Sequence, residues 1–297
     1  MKRLIASSIG ITVSLVVCFS SQVESRTLSV SKPLALKRVI PFKAVARQKV
    51  LPWGPGENAA YDVELAGLAG FRAGLVVARP GKIGKAKAIK VRVVGETVSS
   101  MASFVPFKED VVTTIDLRRL RPMSTLSVRE TRSKSRVLKT SFGRRVEYRL
   151  EKAGKVKTQK RTVSLRLYDP ISALFYLRSV PLAVNKGGSL YLAAGTRFYR
   201  LDWRVAEKAK EIVAGKAVQL WKIHSQAVQV DGRGRDLKNK KSRHVSLWLS
   251  ADKNRVPLKL EVDSDFGKAT AILKSYRASK EPLSVALASR ALSTRRK

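Results

Sequence analysis

Along most of the chain, apolar and polar side chains alternate with a period of two. Ile89, Val91 and Val93 face one way, and Lys90 and Arg92 the other. Val163, Leu165 and Leu167 oppose Thr162, Ser164 and Arg166. Tyr199, Leu201, Trp203 and Val205 oppose Arg200, Asp202 and Arg204, and Leu258, Leu260 and Val262 oppose Lys259, Glu261 and Asp263. Successive side chains of an extended chain point to opposite faces, so each run reads as a strand with one buried and one wet face. Burial on one face favours antiparallel pairing. Turn-forming residues separate the runs at Ala153-Gly154, Gly187-Gly188, Gly215-Lys216, Asp252-Lys253-Asn254 and Asp265-Phe266-Gly267. About 13 to 16 strands are expected from this spacing. So many one-sided strands have to curl. The expected fold is mainly all-β: a curved antiparallel sheet closing toward a barrel or a two-sheet sandwich.

One segment has a different period. From Asp169 to Arg178 the residues Ile171, Leu174, Phe175 and Arg178 fall on one helical stripe. Asp169 suits the N-cap and Pro170 the first helical position. One short helix is therefore expected near residues 169–179, with its apolar stripe on the sheet.

The N-terminus has the layout of a secretory leader: Lys2 and Arg3, an uncharged run from Leu4 to Phe19, then a short polar segment ending at Ser25. Cleavage after Ser25 is expected. The run is about 16 residues against the roughly 20 that span a bilayer, and Ser7, Ser8, Gly10, Thr12 and Ser14 weaken it as an anchor. A lipid anchor on Cys18 is the alternative, with Val17 a poor fit before it. Cys18 is the only cysteine, so a cleaved chain has no disulfide, thiolate nucleophile or cysteine metal site. The expected organisation is a leader over 1–25, a flexible basic arm over 26–50, a single β-rich domain over 51–278 and a basic tail over 279–297.

Apolar content of 44% is that of a folded protein. The charge is unusual: 60 Lys and Arg against 22 Asp and Glu, a formal net charge of +38. Such a field draws polyanions. For an exported protein these are lipid headgroups, lipopolysaccharide or acidic polymers rather than a specific nucleic acid; a purely solubilising role is the plain alternative.

In this order, certain landmarks resemble a known family. They are Gly56-Glu57 with Tyr61, Gly67 and Gly74; Ile115-Asp116 with Pro122; Asp169-Pro170, Ser172-Ala173, Tyr176 and Arg178; Trp248-Leu249-Ser250 with Asp252, Arg255 and Pro257; and Phe266-Gly267. Over about 51–276 the chain resembles the bacterial exported-protein family catalogued as domain of unknown function 3108. The resemblance implies an extended, curved antiparallel sheet in a periplasmic or outer-membrane-facing protein of a Gram-negative bacterium. It implies no activity.

Candidate chemistry is sparse. Glu57 and Asp252 read as residues that pair with a cation or tie down a turn, and Tyr61 and Tyr176 as members of the family boxes. Asp169, Ser172 and Arg178 share a helix but have no histidine near in sequence, so a cap and a salt bridge explain them better than a nucleophile and base. His224 and His244 lack a clustered carboxylate, which leaves no metal site. The loop from Asp231 to Arg243 carries Lys238, Lys240, Lys241 and Arg243 beside Gly232 and Gly234, and reads as an anion-binding finger or a solvated loop. Trp248 lies on the strand face opposite Val245, Leu247 and Leu249, positioned to line a groove or to pack under the helix. No nucleotide, metal or nucleophile motif occurs, so neither a catalytic residue nor a cofactor is expected. Three functions remain in play. The leading one is a non-enzymatic periplasmic or envelope protein holding a lipid-like or anionic component on its sheet, with peripheral membrane contact. The others are an assembly module docking on an acidic partner or wall polymer and, behind both, a hydrolytic enzyme. The oligomeric state is open.

Overall fold

The computed structural model describes residues 50–213, 215–264, 267–281 and 283–284. The expected leader, nearly all of the basic arm and the tail beyond Ser284 lie outside the described residues. Two meanders make up the main sheet. The first runs through β2 (Asn58–Leu65), β3 (Leu68–Val77), β5 (Ala86–Thr97), β6 (Phe107–Asp116), β7 (Arg121–Thr131), β8 (Lys134–Ser141), β9 (Arg145–Lys152) and β10 (Lys155–Thr162). The second runs through β11 (Leu167–Tyr168), β12 (Gly187–Ala194), β13 (Arg197–Val213), β14 (Lys216–Val230), β15 (Arg243–Ser250), β16 (Pro257–Ser264) and β17 (Gly267–Arg277). Pairing of β17 with β2 joins them into one sheet. All neighbours are antiparallel except β11 and β12. A short β4 (Gly81–Ile83) pairs with β5, and β1 (Val50–Leu51) pairs with β18 (Leu283–Ser284).

The sheet is one large, curved and unclosed surface. Its two ends, β10 and β11, are joined by only residues 163–166, yet do not pair with each other. Here one expectation is corrected. Thr162–Leu167 keeps its alternating burial, with Val163 and Leu167 buried, but is not one strand: Thr162 ends β10, Leu167 begins β11, and residues 163–166 between them cross the gap between the two sheet ends. Side chains seal that gap. Leu138, Val146 and Tyr148 of β8 and β9 pack with Val163, Leu167, Ala193 and Phe198 from the other end. Arg161 lies across the seam, with its guanidinium between the rings of Tyr148 and Phe198 and donating to Thr196 O at 2.9 Å.

A sheet this wide would enclose a broad lumen if nothing filled it. The helix α2 (Pro170–Ser179) fills it, while α1 (Ser99–Phe104), an exposed turn of helix after β5, does not. The sequence expectation of one helix missed α1, which has no buried residue and hence no apolar period. The expected single stripe on α2 is also corrected. Ile171, Ser172, Ala173, Phe175, Tyr176, Leu177, Arg178 and Ser179 are all buried, so the helix has no wet face and is surrounded by sheet. The main core joins it to Ile89, Val91, Val111, Leu201, Val205 and Ile223 from both meanders.

Two further local corrections have clear causes. Gly187-Gly188 is no turn: both belong to β12, opposite Arg204 and Trp203. A Cβ at Gly187 would stand 2.3 Å from Trp203 O, so close strand approach, not chain reversal, explains the glycine. In β16, Leu258 does not share a face with Leu260 and Val262. The β15–β16 register shifts between Trp248 and Leu249, which leaves Leu258 as the extra residue of a bulge and turns it outward.

Candidate functional site

The family boxes meet around α2. At its N-terminus Asp169 accepts from the Ser172 amide at 2.7 Å, while Ser172 Oγ accepts from the Asp169 amide at 2.9 Å, a reciprocal capping box. The other oxygen of Asp169 accepts from Thr125 Oγ1 at 2.7 Å and from Thr113 Oγ1. Thr113 lies on β6 and Thr125 on β7, so the cap also fixes the helix to the first meander.

At the other end Arg178 is fully buried and grips Glu57 with both arms of its guanidinium, 2.7 Å to Oε1 and 3.2 Å to Oε2. Its Nε donates to Arg255 O at 2.9 Å and Nη2 to Asn254 O at 3.0 Å, while its charge lies over the Phe175 ring. Asp252 shapes the turn that presents those carbonyls. It accepts from Ser250 Oγ at 2.6 Å and from the amides of Asn254 and Arg255. Arg255 in turn donates to Val180 O at 2.5 Å, just past the helix. Tyr61 OH donates to Pro257 O at 3.1 Å. Burial raises the Tyr61 phenol far above its usual range against the pull of Arg178, with Glu57 adding to the rise. The Tyr276 phenol is pushed up to about 12, by burial first and then by Glu57. Tyr176 is buried with its ring tilted against Tyr168.

Sequence reasoning missed three members of this assembly. Trp53 donates its indole N–H to Ser179 Oγ at 3.0 Å and meets the Phe175 ring edge-on at 4.7 Å. A lone tryptophan just before Gly54-Pro55-Gly56 was the available signal. Thr113 and Thr125 gave none, since a strand threonine is equally at home in solvent.

Between α2 and the concave face lies an apolar cavity of about 120 Å³. Ile171, Leu174 and Leu177 line it from the helix, and Leu75, Leu201 and Leu247 are among the sheet residues around it. Tyr61 and Ser225 supply hydroxyls. Among the described residues Lys259 is the one charged member of the lining, but its ammonium turns outward, over the Trp248 ring and to Glu261 Oε1 at 2.8 Å.

The loop residues 231–242 join β14 to β15. Lys238, Lys240 and Lys241 are exposed and Arg243 is half-buried. Lys240 shares a shallow groove with Arg161 and Arg197. The two glycines have a packing reason. A Cβ on Gly232 would press on Thr162 O at 3.2 Å, and one on Gly234 would press on Leu165 and Tyr191 at 3.0 and 3.1 Å, so the loop lies against the seam. Asp231 folds it by accepting from the amides of Arg233 and Arg235. Trp248 lies on the outer face as its alternation implies, but neither in a groove nor under the helix. It is buried with Leu220, Val256 and Leu258 beneath Lys222 and Lys259. His224 and His244 share that outer face on neighbouring strands, and His224 Nδ1 meets Ser246 Oγ at 2.9 Å. Burial and Lys222 lower the His224 pKa. Among the described residues no three His, Cys, Asp or Glu side chains converge.

A single curved antiparallel sheet wrapped round a buried helix, with its ends sealed by side chains, defines a barrel-like all-β protein. The chain belongs to the family described as "Protein of unknown function (DUF3108)", whose model matches residues 60–274. No curated protein matches it. Among solved structures, it is similar to a β-barrel-like protein of domain of unknown function DUF1849 from Brucella abortus, at 14% identity and a TM-score of 0.48, covering 76% of this chain and 98% of that one. It is also similar to the hypothetical lipoprotein YmcC from Escherichia coli, at 9% identity and a TM-score of 0.28, covering 77% and 89%.

Proposed function

We propose that this is a non-enzymatic exported protein of the cell envelope that holds the apolar end of an anionic amphiphile between α2 and its sheet. The observation that carries the reading is the cavity: almost wholly apolar, walled by the helix and by both meanders. Left empty, about 120 Å³ costs roughly 3 kcal/mol at about 24 cal/mol per Å³. That is a large share of the roughly 5–15 kcal/mol by which domains are stable. Its size bounds the occupant. A cavity of about 150 Å³ takes benzene, and whole drug-sized ligands need roughly 300–1,000 Å³. A few carbons of a chain fit, and the remainder lies outside. The net charge of +38 and the leader pattern from Lys2 to Ser25 support an anionic partner met after export.

Native mass spectrometry of protein purified without detergent is expected to show a bound amphiphile that is released on unfolding. A bare polypeptide mass, together with no thermal stabilisation by any short-chain amphiphile, overturns the reading. A second reading, docking on an acidic polymer, is favoured by the exposed Lys238, Lys240 and Lys241 beside the Arg161 and Arg197 groove. It predicts heparin retention that falls when these lysines and Arg243 are neutralised together.

A further inference from the structure

Ser225 of β14 occupies a position whose neighbours are apolar. Ile223 and Ala227, two residues to either side, are buried in the main core, and residues two apart on a strand share a face. Ser225 therefore points to the concave side, between Trp203 of β13 and Val245 of β15, which stand directly opposite it. It is 6% exposed and lines the apolar cavity. Among the described residues its hydroxyl has no hydrogen-bond partner. The other buried serines, Ser172, Ser179 and Ser250, are all hydrogen-bonded within the chain.

Among the described residues no other side chain in the lining has a proton to offer the cavity. Tyr61 donates its own to Pro257 O, and Lys259 turns its ammonium to Glu261. The remaining lining residues carry no polar side chain. A hydroxyl buried without a partner destabilises a fold, and an alanine here would avoid that cost. The hydrogen count defines the partner that satisfies it. Ser225 brings one hydrogen. A carbonyl or ether oxygen takes that hydrogen and leaves none unbonded. A hydrocarbon leaves it stranded. A ligand hydroxyl adds a second hydrogen, and the other hydroxyl oxygen of the lining, that of Tyr61 on β2, lies four strands away along the sheet.

We infer that the part of the chain inserted between α2 and the sheet carries a hydrogen-bond acceptor, carbonyl in character as in an acyl ester or a ketone, and that Ser225 donates to it. The inference rests on the functional reading above for occupancy of the cavity, and narrows the occupant from any aliphatic chain to an oxygenated one. At about 120 Å³ the cavity holds such an oxygen together with a few carbons.

The test uses probes small enough to lie wholly inside the cavity: methyl propyl ketone, the alkene of the same shape in which a methylene group replaces the carbonyl oxygen, and the corresponding secondary alcohol. Binding is read by titrating the methyl resonances of the full chain. The proteins are the unaltered protein, Ser225→Ala, and Leu174→Trp, which fills the cavity from a half-buried position. Ser225→Ala is expected to weaken the ketone roughly three- to tenfold and to leave the alkene unchanged. The infrared carbonyl stretch of the bound ketone should lie lower in the unaltered protein than in Ser225→Ala, which reads the hydrogen bond directly. Without ligand Ser225→Ala should melt at the same temperature or higher, because an unpartnered hydroxyl has been removed; this also shows that it folds. A clear fall in its melting temperature would mean that the hydroxyl has a partner within the chain, and overturns the inference. So does ketone binding that is indifferent to Ser225→Ala, or a larger loss for the alcohol than for the ketone; in both cases alkene binding that is lost in Leu174→Trp leaves the functional reading standing. If none of the three probes binds the unaltered protein, the functional reading falls and this inference with it.

Discussion

At its C-terminal end α2 is tied down by charge, at its N-terminal end by hydroxyls. Arg178 meets a carboxylate brought from 121 residues away and two carbonyls of the 252–256 turn. Asp169 meets two threonine hydroxyls and its own capping amide. Both ends take a charge out of water. Only the first supplies a counter-charge, and only the first needs its partners brought together from both ends of the sequence. The two anchors attach to different parts of the sheet: Asp169 to β6 and β7, Arg178 to the lead into β2 and the turn before β16. Held at both ends, α2 joins regions that the unpaired β10 and β11 do not join by hydrogen bonds. Its middle is left to wall the apolar cavity.

The comparison is broken most forcefully at the charged end. Arg178→Met strands Glu57 without its partner and is expected to cost about 3–5 kcal/mol in urea unfolding at neutral pH. A loss below about 1 kcal/mol would mean that Glu57 has water or another cation available. At the hydroxyl end Asp169→Ala removes a cap and the one oxygen that accepts from two buried threonine hydroxyls, and is expected to cost about 2–3 kcal/mol. A larger loss than that of Arg178→Met would invert the ranking of the two anchors.

A smaller effect separates the ends by pH. The folded Tyr276 phenol is pushed up to about 12 by burial and Glu57, from an ordinary 10.0. A raised acid pKa means stability that is complete below pH 10 and is lost as pH climbs toward 12, because only the unfolded chain then releases the proton. Tyr276→Phe should therefore flatten the alkaline decline in melting temperature, whereas Asp169→Ala should only lower the whole curve.

The smallest effect is a control on the outer face, away from both anchors. At Glu261 burial pushes the pKa upward, but the hydrogen bonds and charges of Lys259 and Lys268 outweigh it and hold the carboxyl below 4.5. Its contribution is present above that value and drains as pH falls further. For a surface ion pair that is only partly buried, Glu261→Gln should shift neutral stability by less than about 1 kcal/mol.

Much of this was legible residue by residue. Alternation at Ile89–Val93 and Tyr199–Val205 gave the strand faces, because side-chain direction in a strand depends only on parity. Asp169-Pro170 gave the start of α2, because capping is local chemistry. The Glu57–Arg178 pair was legible only as a type of partner for each residue. The bulge at Leu258 was not legible at all, since a register shift exists only between two strands. The loop 231–242 shows the same limit: its glycines suggested anion contact, whereas Thr162, Leu165 and Tyr191 determine their surroundings.

The amino-acid order by itself determined an antiparallel β-protein with one capped internal helix, membership of its family and a large excess of positive charge. The β-pattern and the helix follow from parity and helical period, the charge from composition, and the family from the resemblance of its ordered motif residues; none needs knowledge of distant neighbours. Tertiary structure alone decided that α2 is buried all round, that β10 and β11 come close without pairing, and that Ser225 meets the apolar cavity between Trp203 and Val245. Each depends on registers between strands, and a register is set by cooperative packing across the whole sheet rather than by any one segment.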